Sequence, residues 1–489
     1  MLYKPAIPQI DWSMISPVVL VAMTGIIALC IEMARPKKQN DMIVAFSLFG
    51  LLAAAVSLVF QFDANQFLEG EAFGGMVVRD RFALTLQLLM VVCAFLSILF
   101  SEGYLREKRI PFGEFYPMLL WSTVGGMVMV GTRNLLMVFL GLEILSISLY
   151  VLAGMSRKEN KSEESALKYF LLGSFASGFL LYGIAFTYGA TGSLHLDQVA
   201  LAWRTGDPQT QTLLLFGLGL MLVGLSFKSS FVPFHMWTPD VYQGAPTNVT
   251  AFMAAGAKIG AIGALWRVAD SSSSLQEFWL PAMFWIAILT MVVGNLVALV
   301  QKDVKRVLGY SSIAHAGYIL VAILAHVKAP ELVGFDTIVY YLLSYSLMTI
   351  GAFAVVTLAA RSGKEGTRFD DVRGLWHRAP FAAGALIVFM CSLIGIPPTA
   401  GFAGKLMIFQ DAIRSELVPL AIVLAFSSII SVYYYLGIGR AMFVVDEDGE
   451  SVRDIKMNMG LASACVICMV GIFGAFLFAA PIMSFISGR

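Results

Sequence analysis

The chain has 489 residues, of which 58% are hydrophobic and only 13% charged, and its mean hydropathy is +0.79. Soluble domains carry about 25% charged residues, and here apolar runs near the membrane-span length of about 20 residues recur from one end to the other, which excludes a row of soluble domains. The formal net charge of +1 leaves no bulk electrostatic reason to bind nucleic acid.

The runs predict an all-α, polytopic membrane protein of about fourteen transmembrane helices. In chain order the spans are 14–34, 42–62, 82–101, 115–132, 135–154, 166–189, 212–238, 246–268, 278–300, 306–326, 334–360, 380–412, 417–440 and 457–484. The first is long enough to cross, and basic residues follow it with no small-residue cleavage site, so it reads as a helix and not as a signal peptide. Cys30, Cys93, Cys391, Cys465 and Cys468 all fall in apolar runs. The Cys465–Cys468 pair has no second pair or nearby histidine and reads as two buried small hydrophobes.

Orientation follows from Lys and Arg in the loops. Alternating from an outside N-terminus puts twenty basic residues inside and nine outside. Lys108 and Lys305 are counted in the inside loops, and Arg267 in an outside one. The remaining four basic residues, Lys168, Lys228, Lys258 and Lys405, fall within spans, as does Glu143. A charge in hydrocarbon costs about 2.5–3.5 kcal/mol on insertion scales, so these five are the first candidates for function.

Two spans are interrupted. The seventh contains Lys228-Ser-Ser-Phe-Val-Pro233, and the twelfth contains Gly395-Ile-Pro-Pro-Thr-Ala-Gly401. The twelfth would run roughly 50 Å as a straight helix through a hydrocarbon core of about 30 Å. Pro233, and the pair Pro397 and Pro398 flanked by glycines, give places to break. The breaks are five spans apart, so the two helices cross in opposite directions, as an inverted repeat requires. The expected organisation is one membrane domain, 1–489. Peripheral helices 1–3 occupy 1–112, a first five-helix repeat 113–270, an inverted second repeat 271–440, and a last helix 441–489.

Each buried charge has a plainer alternative. Glu143 could be a neutral carboxyl used in packing, but Lys228 on a broken helix offers it a partner. Lys228 could form a static ion pair; a lysine whose proton affinity depends on a nearby carboxylate can also load and release a proton. Lys258 lies between Gly256 and Gly260, whose spacing predicts a face for a neighbouring helix; Lys258 then points away from it, into the bundle. Lys405 could snorkel outward, but the adjacent break favours a hydrated site. Lys168, near the start of the sixth span, reads equally as a snorkelling lysine or as lining proton uptake from the cytoplasm. His315 in Tyr310-Ser-Ser-Ile-Ala-His-Ala-Gly317 suits a relay, with Ser311, Ser312 and Tyr318 able to order water. His235 reads as equally able to brace the seventh-span break. His195, His326 and His377 read as loop residues. There is no dinucleotide fingerprint, P-loop, clustered metal-ligand set or paired histidines for haem.

The stretch Phe231-Val-Pro-Phe-His-Met-Trp-Thr-Pro-Asp-Val-Tyr-Gln-Gly-Ala-Pro-Thr247 closely resembles the signature of the antiporter-like subunits of respiratory complex I, and its ending resembles the subunit N branch rather than the L and M branches. Ala166–Ser177 and Gln301–Gly317 agree. The resemblance implies a proton channel built from two inverted half-channels. Glu143, Lys228, Lys258 and Lys405 stand at the family's ionisable positions on helices 5, 7, 8 and 12, and His315 lies in its helix 10 motif. It further implies a non-redox subunit of a proton-translocating NADH:quinone oxidoreductase in the bacterial inner membrane. No cofactor is expected in this chain; NAD, FMN, iron–sulfur clusters and quinone are expected in partner subunits. The expected partners are the other membrane and peripheral subunits of complex I and the lipid bilayer. An Mrp-type cation/proton antiporter subunit and a purely structural membrane spacer are the alternatives.

Overall fold

The computed structural model describes residues 11–34, 41–62, 69–110, 113–359, 365–444 and 457–488. Helices α1 (Trp12–Ala34) and α2 (Asp41–Gln61) are followed by a small hairpin, β1 (Gly70–Ala72) with β2 (Val77–Arg79), then α3 (Arg81–Glu107), α4 (Phe115–Val130), α5 (Leu135–Ala153) and α6 (Asn160–Thr191). A short α7 (Leu196–Thr205) leads to α8 (Pro208–Ser229), α9 (Trp237–Gly244), α10 (Thr247–Phe252) and α11 (Lys258–Ser271). The second half holds α12 (Gln276–Ala298), α13 (Val304–Lys328), α14 (Asp336–Val356), the short α15 (Phe369–Val372) and α16 (Leu375–Arg378), α17 (Pro380–Ile394), α18 (Ala400–Arg414) and α19 (Val418–Phe443). Helices α20 (Met459–Leu477) and α21 (Ala479–Ser487) close the chain.

The helix starts are written in the sequence. The first N–H groups of a helix need acceptors, and acidic or amide side chains supply them. Asp80 accepts from the Ala83 N–H (2.7 Å) ahead of α3, and Asn134 caps α5. Asp207 caps α8 with Pro208 at its first position, and Asp303 caps α13.

Among the described residues twelve helices are long and apolar enough to cross a membrane. Two shorter apolar helices, α4 and α17, stand at the expected fourth and twelfth spans. Sixteen residues make α4 about 24 Å long, and α17 stops at Gly395 because the chain breaks there.

Burial sorts the helices. The span from Thr247 to Ser271 is buried throughout its most apolar window, and α13 and α14 nearly so, whereas α1, α2, α12 and α20 turn most of their surface outward. The interior is therefore built from the spans that carry Lys258 and His315. Helices α4 and α5 touch backbone to backbone: a Cβ on Gly125 would lie 2.6 Å from the Gly141 carbonyl, and one on Gly141 2.7 Å from the Gly125 carbonyl. Helices α12 and α13 meet in the same way, at Gly294 against Ala314.

Several expectations change. Helix α3, expected at the periphery, is mostly buried and packs on α4, α10, α14 and α20. Lys108 and Lys305, counted in loops, are buried, and so is Arg267. Arg267 pairs with Asp80 through two 2.9 Å bonds. Burial alone would raise the Asp80 carboxyl, but Arg267 outweighs it and holds the group below its ordinary range. His326 is not a loop residue: it ends α13, buried, against the Val333 carbonyl (2.7 Å) and Asp270 (3.2 Å). Gly256 and Gly260 do not share a helix-packing face. A π-helical turn, Met253–Ala257, shifts the register between them. A Cβ on Gly256 would meet the Phe252 ring of its own span, while Gly260 faces Gly126 of α4. Lys4, Arg35, Lys37, Lys38, Arg361, Lys364, Arg453, Lys456 and Arg489, used in the orientation count, lie outside the described residues, as does the repeat boundary at 112.

Candidate functional site

Helix α8 ends one residue after Lys228, and Ser230 follows in the left-handed region (φ 67°), so the expected break lies there. Two side chains, Trp237 and Thr290, satisfy backbone groups that the break frees, and a hydroxyl pair, Thr238 on Ser230, braces it. Trp237 Nε1 donates to the Phe227 carbonyl (2.9 Å), Thr290 Oγ1 accepts from Val232 N (3.0 Å), and Thr238 bonds Ser230 (2.8 Å). The same Trp237 stacks on Tyr169 of α6, with ring centroids 4.7 Å apart. Tyr169 in turn meets Lys228. The buried Nζ donates to the Tyr169 hydroxyl (2.8 Å) and to Ser146 Oγ (2.7 Å), with the Tyr169 ring centroid 4.9 Å away.

Glu143 lies three residues before Ser146, one turn along the same side of α5. It is half-buried, and its Oε1 has no hydrogen-bond partner. Lys228 therefore rests beside the turn that carries Glu143 but bonds two hydroxyls, not the carboxylate. Ser146 and Tyr169 were missed by the sequence reading. A serine one turn from the acid and an aromatic in the α6 motif were the available signals.

The second group is centred on α13. Lys258 follows the π turn directly, and its buried Nζ donates to the Ser312 carbonyl (2.5 Å) and Ser312 Oγ (2.6 Å). The Tyr345 hydroxyl donates to the same Oγ (2.9 Å). One turn on, His315 pairs Nδ1 with the Tyr341 hydroxyl (2.8 Å) and Nε2 with the Tyr435 hydroxyl (3.2 Å), and Tyr435 also bonds Ser311. The tautomer decides which ring nitrogen donates. Tyr341 and Tyr345 are four apart on α14 and so share the face turned to α13.

Lys405 sits in the second turn of α18 and folds back over the break. Its buried Nζ donates to the Leu393 and Ile394 carbonyls, both at 2.9 Å. These are among the last carbonyls of α17, which lack intrahelical donors and carry the negative end of the helix dipole. Gly395 makes room: its φ is 89°, and a Cβ there would lie 3.1 Å from Lys405 Cδ. The Tyr318 ring lies 5.0 Å from Nζ, and its hydroxyl accepts from Asn295 (3.2 Å), whose oxygen accepts from Tyr434 (3.0 Å). Pro233, Pro397 and Pro398 are exposed at the breaks.

Lys258, His315 and Lys405 thus converge on one tyrosine-rich interior. Lys228 and Glu143 form a separate group, and among the described residues no direct hydrogen bond joins the two groups. Lys168 belongs to neither. Its side chain is 42% exposed and pairs with Glu164 (2.6 Å) and Asp240 (2.9 Å), the latter also held by Arg306 (2.7 Å). His235 lies in the break between α8 and α9, and its Nδ1 is without a partner.

A further buried cluster was not legible as such. Glu365 Oε2 lies 3.0 Å from Lys108 Nζ and accepts from the Tyr104 hydroxyl (2.5 Å). Its Oε1 lies 3.3 Å from Lys305 Nζ, accepts from Thr247 N (3.2 Å) and also bonds Thr247 Oγ1. Lys108 bonds Glu159, which accepts from Glu365 N (3.1 Å), and Lys305 donates to the Ala245 carbonyl (2.5 Å). Burial would raise the Glu365 carboxyl, but Lys305 and Lys108 outweigh it and hold it at about 2. This clasp ties α3, α10 and α13 to the segment after α14.

Residues 132–431 match the family described as NADH:quinone oxidoreductase/Mrp antiporter, TM. NADH-quinone oxidoreductase subunit N of Trichlorobacter lovleyi is 40% identical over 464 residues, covering 94% of this chain and 93% of that one. A chain of respiratory complex I from Thermus thermophilus, solved with bound aureothin, superposes with a TM-score of 0.80 at 35% identity over 96% of this chain and 98% of its own. A chain of the Mrp complex from a Dietzia species superposes with a TM-score of 0.84 over 98% and 96%, at 19% identity, a likeness of fold alone.

Proposed function

Because this chain belongs to the NADH-quinone oxidoreductase subunit N family, the antiporter-like membrane subunits of respiratory complex I, we propose that Glu143, Lys228, Lys258, His315 and Lys405 carry protons through it. The chain is a multi-pass membrane subunit working among other subunits of an NADH-quinone oxidoreductase, and the cofactors reside in those partners. In our reading these are NAD, FMN, iron–sulfur clusters and quinone, and this chain is a non-redox translocating subunit. It sits in the bacterial inner membrane with its N-terminus on the periplasmic side. The halves 113–270 and 271–440 act as inverted half-channels.

One observation carries the reading. Three buried ammonium groups on three helices, Lys228, Lys258 and Lys405, bond only hydroxyls and carbonyls, and among the described residues none forms an ion pair. A desolvated charge without an opposite charge is costly, so changing its protonation state is within reach of modest electrostatic work. A proton taken up from the cytoplasm reaches Lys228. It crosses the interior by way of Lys258 and His315 to Lys405, and leaves on the far side. Moving Lys228 between the two hydroxyls and Glu143 gates loading. Carrying one charge across costs about 2.3 kcal/mol per 100 mV, and each pKa unit of coupling is worth about 1.4 kcal/mol, so one or two such units match the load.

The test is Lys258→Arg in the assembled enzyme. Arginine keeps the charge and does not release its proton, so proton pumping driven by NADH should fall severalfold while the subunit still assembles. Normal pumping would rule out a titrating role for Lys258. The Mrp-like fold makes sodium the rival ion; pumping that depends on sodium would favour it.

A further inference from the structure

At one end of the second half, a groove of about 870 Å³ opens between α12, α13 and α19, with α15 beside it. Its walls are apolar: Leu299, Val307, Phe369, Ile429, Val432 and Leu436. Ile429, Leu436 and the neighbouring Tyr433 are exposed at 67%, 54% and 74%, so the groove faces outward at a level where a membrane-spanning bundle meets acyl chains. Its polar residues gather at one end. Lys302 lies just past the C-terminus of α12, and Arg440 lies in the last turn of α19. Both are exposed, and neither has an ion-pair partner among the described residues. The acid at the same rim, Asp370, is engaged by Arg373 at 3.0 Å. The groove therefore presents an apolar trough capped by two available cations at a helix-end level.

We propose that this groove is a binding site for one anionic phospholipid. Lys302 and Arg440 take the phosphate, through point-charge and forked donors respectively, and the acyl chains lie along α12 and α19. Basic pockets between membrane helices, with apolar surface leading away from them, match the chemistry of an anionic headgroup. A zwitterionic lipid would bring its own headgroup cation up against Lys302 and Arg440, and a soluble phosphate would leave the apolar trough unfilled. The site also abuts the proposed proton path. Tyr434 lines the groove, and its hydroxyl bonds Asn295, which bonds the Tyr318 whose ring lies beneath Lys405. The binding proposal itself rests only on the groove and does not depend on that path.

The test uses the whole complex in two arms. In the unsubstituted complex, a photoactivatable phosphatidylglycerol should label peptides spanning 298–307 or 429–440 at least severalfold more than photoactivatable phosphatidylcholine. Equal labelling by the two, or no labelling there by phosphatidylglycerol, overturns the proposal. In the second arm, the K302Q/R440Q complex should retain one fewer anionic phospholipid by native mass spectrometry. Gly437→Trp, which fills the groove and leaves both charges, should lose the same lipid. An unchanged lipid count in either variant, or displacement of the label by inorganic phosphate alone, would also overturn it.

Discussion

Replacing Glu365 by glutamine should destabilise the assembled subunit more than any single surface change. The substitution keeps shape and removes one negative charge from a cluster in which Lys108 and Lys305 are balanced by Glu159 and Glu365. The size can be approached in two ways. Removing one member of a buried ion pair costs about 3–5 kcal/mol, because the partner is left charged and desolvated. Independently, the Glu365 carboxyl is held at about 2 against an ordinary 4.5. That difference is worth about 3 kcal/mol by proton linkage. Because the folded value is depressed, this stabilisation is fully present above about pH 4.5 and is lost as pH falls toward 2. The assay is the heat-inactivation midpoint of NADH–quinone reductase activity in the purified complex, together with the yield of this chain in it. E365Q should lower the midpoint by on the order of 5 °C at neutral pH. The wild-type midpoint should fall below pH 4.5 through a contribution that E365Q lacks. An E365L/K305M double variant, which removes a charge of each sign, should regain part of the loss. If E365Q matched wild type in midpoint and yield, the cluster would not be a stabilising clasp.

Other expectations follow from the site. Lys228→Ala and Glu143→Gln should each reduce pumping severalfold with assembly intact, and Tyr169→Phe, which removes one of the two hydroxyls on Lys228, should reduce it less; equal pumping in all three would refute the gating pair. Lys168→Ala should be milder than Lys228→Ala, since a half-exposed pair is worth about 0–1 kcal/mol; the reverse order in a proton-pumping assay would make Lys168 the functional group. Gly395→Ala should cost about 1–2 kcal/mol from its left-handed backbone and displace Lys405, so pumping should drop more than quinone reduction does; unchanged pumping would show that Lys405 need not reach the α17 carbonyls.

The candidate charges were legible in the sequence because insertion into hydrocarbon is a local cost. A lysine in the middle of an apolar run of about 20 residues stands out whatever surrounds it, and so do two prolines between glycines in a run too long to span. Lys228, Lys258 and Lys405 are buried as that reasoning requires, and both breaks fall where it put them. Their partners were a different matter. Ser146 and Tyr169 reach Lys228 from α5 and α6, and Tyr341 and Tyr435 reach His315 from α14 and α19. Nothing in a single helix says which neighbour its polar face will meet.

By itself the sequence determined the membrane-spanning helices, their breaks and which charges had no polar surroundings along the chain. Only the tertiary structure decided that Lys108, Lys305 and Glu365 are interior groups. They sit at the edges of apolar runs, where hydropathy reads them as loop charges. It is the packing of α3, α10 and α13 around one carboxylate that removes them from water. Burial at a helix end depends on what other helices bring there, and a linear pattern does not encode that.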